Sequence, residues 1–255
     1  MTPFPRINPA GALWLGFFAL ILAAWAGLFA MVITSPLTGV PAGLWQALCL
    51  GAASAGIGGL FAMWSLMAAA MMLPTFVPAL RTFLNLGAAG ASRPVDAAAL
   101  VAGYVAVWAG VALAGALAQR ALAQAGLLAP DGSSLSLWLT SALLMAAGLY
   151  QFSLFKAACL AKCRMPLTFF MQRWAPGPAR ALVMGMELGA LCLGCCWALM
   201  ALAFVGGTMN LLWMGAATLF MTLEKLPDIG RYLTRPAGFI LISASGAAAL
   251  VAITI

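Results

Sequence analysis

The chain has 255 residues, of which 65% are hydrophobic and only 7% charged, with a mean hydropathy of +1.08. About a quarter of the residues of an ordinary soluble domain are charged, so that class is excluded. The net charge of +7 comes from Lys and Arg gathered between apolar runs, without the interleaved aromatics of a nucleic-acid surface. It therefore reads as membrane orientation, and nucleic acid is not expected as a partner.

Backbone groups in lipid are satisfied only by helices or closed barrels. Strand-like alternation is absent and long Ala/Leu/Gly/Met runs dominate. The expectation is an all-α, polytopic membrane helix bundle forming one integral membrane domain over residues 1–255. Seven apolar segments near bilayer length run roughly over 12–34, 55–79, 97–119, 135–158, 181–206, 208–226 and 237–255.

The first segment follows a single basic residue, Arg6. Its apolar run is about twice the usual signal-peptide length and no A-x-A-like site follows it, so it reads as an uncleaved anchor. The 34–55 loop carries no charge and reads as a piece hugging the membrane or re-entering it. With the N-terminus placed in the cytoplasm, eleven of the twelve Lys and Arg residues fall on the cytoplasmic side and Arg120 alone falls opposite. The positive-inside rule then puts the C-terminus outside. The localisation implied is a bacterial inner membrane, crossed several times.

Histidine is absent. Its absence removes the usual proton shuttle, His-dependent triads and His-bearing zinc sites. Six cysteines and fifteen methionines remain. Such soft donors favour Cu(I), zinc or iron–sulfur chemistry over magnesium or calcium.

The second segment holds "MWSLMAAAMMLP", with Met63, Met67 and Met71 repeating every four residues. The stripe is either a thioether ligand set or gap-filling in a helix interface. After the fourth segment comes "KAACLAKCR", where Cys159 and Cys163 are one turn apart beside Lys156, Lys162 and Arg164. Neighbouring cations make thiolate available. If the fourth helix runs straight, this pair lies roughly 15–20 Å from the thiols of the fifth segment and forms a separate station.

The fifth segment contains "CLGCCWALM". Cys192, Cys195 and Cys196 are spaced i, i+3, i+4 and share one helix face. Gly185, Gly189, Cys192 and Cys196 also form a stripe of small residues, which helix packing in lipid favours. Glu187 is a carboxylate inside this segment and is expected to be functional. It is expected to pair with Lys156 or to meet a cation in transit. Glu224 and Lys225 end the sixth segment and are expected at the interface. Met214 in that segment lies near the depth of Cys195 and Cys196.

The chain resembles a prokaryotic family described as predicted metal-binding integral membrane proteins. The resemblance rests on Trp64–Met67–Ala70–Met71–Met72–Leu73–Pro74, and on Tyr150–Gln151, Lys156, Cys159–Leu160, Cys163–Arg164 and Pro166. It continues in Gly189, Cys192, Gly194–Cys195–Cys196–Trp197 and Leu199–Met200, then Trp213–Met214 and Glu224–Lys225, covering roughly residues 60–230. Members carry a histidine just before the glycine that matches Gly189. Here that position is Leu188, with Glu187 beside it.

These readings converge on a protein that binds a soft metal ion, copper foremost and zinc next, for handling or delivery. Cys192, Cys195 and Cys196 are the expected principal ligands. Met67, Met71 and Met214 are secondary, and Cys159 and Cys163 form the second station. The bilayer, the metal ion and another membrane or periplasmic protein are the expected partners. A membrane thiol–disulfide oxidoreductase, or an assembly subunit with a degenerate site, remains an alternative.

Overall fold

A computed structural model describes residues 9–33, 56–88 and 93–254. The uncharged 34–55 loop, Arg6 and Cys49 lie outside the described residues. Among the described residues every extended element is a helix, and an isolated bridge between Leu128 and Ser134 is the sole β pairing.

The helices are α1 (Pro9–Ile33), α2 (Ile57–Ala88), α3 (Pro94–Gln124), α4 (Leu137–Tyr150) and α5 (Leu154–Arg164). They continue with α6 (Pro166–Arg173), α7 (Pro178–Ala201), the single turn α8 (Ala203–Gly206), α9 (Leu211–Lys225) and α10 (Pro227–Thr254). Five stretches, Gly11–Met31, Ile57–Gly87, Pro94–Gln124, Pro178–Gly206 and Pro227–Thr254, are long and apolar enough to cross a membrane. The α4–α5 pair makes a sixth if it is taken as one broken span. Among the described residues that gives five or six such stretches, against the seven apolar segments of the sequence. The segment that drops out is 208–226, because α9 has 15 residues and rises only about 22 Å.

Two local causes bend the bundle where the site lies. Tyr150 ends α4, and the Ser153 side chain caps a new helix by accepting from the Lys156 backbone N–H. The chain turns by 63° there. In α2, Pro74 and Pro78 remove two backbone donors within one turn.

Helices α3 and α7 meet backbone to backbone. A Cβ added at Gly103 would collide with the Leu182 carbonyl, and one at Gly185 with the Leu100 carbonyl. Gly189 packs against Val107. The glycines of the small-residue stripe therefore serve packing, as small residues at membrane helix interfaces do. Gly185→Ala is expected to cost roughly 1–3 kcal/mol through overpacking. A lowered thermal unfolding midpoint in detergent checks this, and an unchanged midpoint would contradict the close approach.

Candidate metal centre

Three thiols gather in the C-terminal half of α7. The Sγ atoms of Cys192, Cys195 and Cys196 all lie within 4.8 Å of one another, and each residue is at most 2% exposed. Helix geometry alone brings them together, since side chains one turn apart stack and tilt toward the N-terminus. The thiols of Cys195 and Cys196 both donate to the Cys192 carbonyl oxygen at 3.0 Å.

Cys192 plays the opposite part. Its Sγ accepts from Lys225 Nζ at 3.0 Å and lies 3.1 Å from the Tyr104 hydroxyl. Lys225 Nζ also donates to Thr75 Oγ1 at 2.8 Å. Thr75 donates to the Met72 carbonyl at 2.8 Å, and the Tyr104 hydroxyl is 3.1 Å from that same oxygen. Side chains from α2, α3 and α9 thus fix one sulfur of α7. The two proline-loosened turns of α2 carry both Met72 and Thr75.

Met72 also supplies a soft sulfur, with Sδ 3.9 Å from Cys196 Sγ. Among the described residues it is the methionine that reaches a cysteine thiol. The expected thioethers Met67, Met71 and Met214 are buried in the same apolar core, without a hydrogen bond to these thiols. Met72 lies outside the stripe that repeats every four residues, and its sulfur is beside Cys196.

The second cysteine pair is not a distant station. Because α5 breaks away from α4 and packs back on α7, Cys163 neighbours Cys195. Cys159 abuts Gly194, where a Cβ would come within 2.7 Å of its Sγ. The rise-based estimate of roughly 15–20 Å assumed a straight fourth helix, and the 63° bend removes that separation.

A cavity of about 20 Å³ lies at the junction, lined by Thr75, Tyr104, Cys163, Leu188, Cys192 and Lys225. About 10–15 Å³ suffices for one water-sized occupant, so the volume suits a single ion. Leu188, which stands where the resembled family carries histidine, faces this cavity. Glu187 does not substitute for it, because its carboxylate turns to Arg173 at 2.9 Å.

The charged residues also partner differently from expectation. Lys156 pairs with Glu224 at 2.9 Å, not with Glu187, and the two side chains are 1% and 2% exposed. Glu224 is therefore buried inside the bundle in an ion pair, and Lys225 turns inward to the thiols. Arg164 donates through Nε and Nη2 to the Glu224 carbonyl oxygen at 3.1 and 2.8 Å. The sequence offered no direct signal for Lys225 and Tyr104, although Lys225 stood within the blocks of the resemblance.

The donor set fits a soft ion. It consists of three thiols, a fourth thiol at Cys163 and a thioether, with no carboxylate grouped with the three thiols among the described residues. Thiolate and thioether donors select Cu(I) in particular. No curated protein and no solved structure matches the chain. Residues 61–248, which hold every side chain of this centre, match the family PpoB2, described as copper chaperone. On that match, the chain belongs to the PpoB2 copper chaperone family.

Proposed function

We propose that this protein spans a bacterial inner membrane and holds Cu(I) as cargo for delivery to another membrane or periplasmic protein. Cys192, Cys195 and Cys196 are the principal ligands, Met72 is an auxiliary ligand, and Cys163 with Cys159 forms the approach to them. The observation carrying this reading is the buried three-thiol cluster, with all Sγ atoms within 4.8 Å, inside a copper chaperone family member.

The chain's own residues explain how a thiol site persists in an apolar bundle. Lys225 offers a positive charge to Cys192 within the bundle, and Tyr104 a hydroxyl. The Cys192 sulfur thus has two hydrogen-bonding groups around it before a metal arrives, and buried polar atoms left without partners are what the interior penalises. The two flanking thiols park on a helix carbonyl, so loading requires no backbone rearrangement to free them.

X-ray absorption of the copper-loaded protein tests the reading. Scattering from sulfur neighbours alone is expected, and a first shell of nitrogen and oxygen would refute the assignment. In a Leu188→His variant a nitrogen neighbour is expected to appear, because that side chain faces the small cavity. Metal uptake by thiols releases protons, so copper affinity is expected to fall as pH falls. Competition against a Cu(I) chelator at a series of pH values measures the effect.

A further inference from the structure

A cavity of about 500 Å³ reaches Cys159 and is lined by α5, α6 and α7. Its polar wall holds Cys159, Lys162, Thr168, Gln172, Arg173 and Glu187. Pockets for small molecules are typically about 300–1,000 Å³. Cys159 is common ground: it lines this cavity, and its side chain also abuts α7 at Gly194 and interacts with Cys195. Lys162 follows Cys159 by three residues on α5, so the cation and the thiol share a helix face. Arg173 is paired with Glu187 at 2.9 Å, and among the described residues Lys162 is the charge of the wall with no ion-pair partner.

We infer that this cavity is the loading port of the copper site, and that it takes Cu(I) as the complex of a small anionic thiol of the size and charge of glutathione. The inference rests on the copper reading above and adds the donor and the route. Charge complementarity selects the donor, because a carboxylate of the carrier meets Lys162 while its copper reaches Cys159. A lipid chain suits the walls less well. The second cavity, about 250 Å³ between α1, α2 and α3, is lined by Leu20, Ala68, Leu73 and Val105 and has the apolar character a lipid chain prefers.

The transfer is a ligand exchange. The bond between copper and the carrier sulfur breaks as the bond to Cys159 Sγ forms. The thiol proton of Cys159 passes to the departing carrier thiolate. Copper remains Cu(I) and no electron moves. A second exchange of the same kind passes the ion to Cys195, whose proton returns to Cys159.

The test uses the full chain in detergent and follows copper uptake by stopped-flow ultraviolet absorbance of the copper–thiolate bonds. Copper is supplied in two ways, as Cu(I)–glutathione and as Cu(I) with dithiothreitol, an uncharged thiol. Reversing the charge in Lys162→Glu is expected to slow uptake from glutathione at least about tenfold, since wall charge acts chiefly on encounter. Uptake from dithiothreitol should stay within about twofold, with the same final copper content. Cys159→Ser is expected to slow uptake from both donors, and an unslowed rate in that variant would overturn its part in the route. Equal rates in wild type and Lys162→Glu, or equal slowing from both donors in that variant, would overturn the loading port. Wild-type protein that takes copper from neither donor would overturn the copper reading as well, so the two failures are distinguishable.

Discussion

A Glu224→Leu variant is expected to lose roughly 3–5 kcal/mol of stability, and adding Lys156→Met is expected to restore most of it. The pair is 2.9 Å apart and almost completely buried. Removing Glu224 strands an ammonium in the bundle, with no second carboxylate paired to it among the described residues. Removing both leaves two apolar side chains in an apolar setting, which buried ion pairs often tolerate. Glu224 Oε1 has no hydrogen-bond partner among the described residues, so the pair is not fully satisfied even when intact. Thermal unfolding in detergent for the two single variants and the double variant forms a cycle that isolates the coupling. Additive losses would show that Lys156 and Glu224 act separately.

The second large effect concerns one sulfur. Cys192→Ser is expected to weaken Cu(I) binding at least about 100-fold, or ~2.8 kcal/mol at 1.4 kcal/mol per factor of ten. Serine nearly keeps the shape but offers a hard oxygen in place of a soft sulfur. Among the three thiols, Cys192 is where Lys225 and Tyr104 converge and where the small cavity opens. Met72→Leu conserves volume and removes only the thioether, so its loss should be clearly smaller. Titration against a Cu(I) chelator of known strength ranks the variants. A Met72→Leu loss equal to that of Cys192→Ser would reverse the assigned order of ligands.

Much of this centre could be read before any coordinates. Spacing i, i+3, i+4 on one helix is a local property, so the Cys192–Cys195–Cys196 cluster followed directly from the sequence. The all-helical class followed from composition, because lipid leaves few other ways to satisfy a backbone. What escaped were properties that depend on neighbouring helices. The break at Gln151–Ser153 is set by one serine cap, and it folds Cys163 onto Cys195 instead of carrying it away. Periodicity in α2 indicated a methionine stripe but gave no reason to single out Met72, whose sulfur lies 3.9 Å from Cys196. Lys225 looked like an interfacial charge because its length and its position at a helix end favour snorkelling. Its actual partners, Cys192 and Thr75, lie 33 and 150 residues away in sequence.

Copper stoichiometry of the purified protein, wild type against the combined Cys192→Ser, Cys195→Ser and Cys196→Ser variant, tests the central claim most directly. After loading with Cu(I) and removal of unbound metal, mass spectrometry should find copper bound to the wild type and essentially none retained by a triple variant that still folds. Equal copper in the two proteins would contradict the assignment of these thiols as the metal centre.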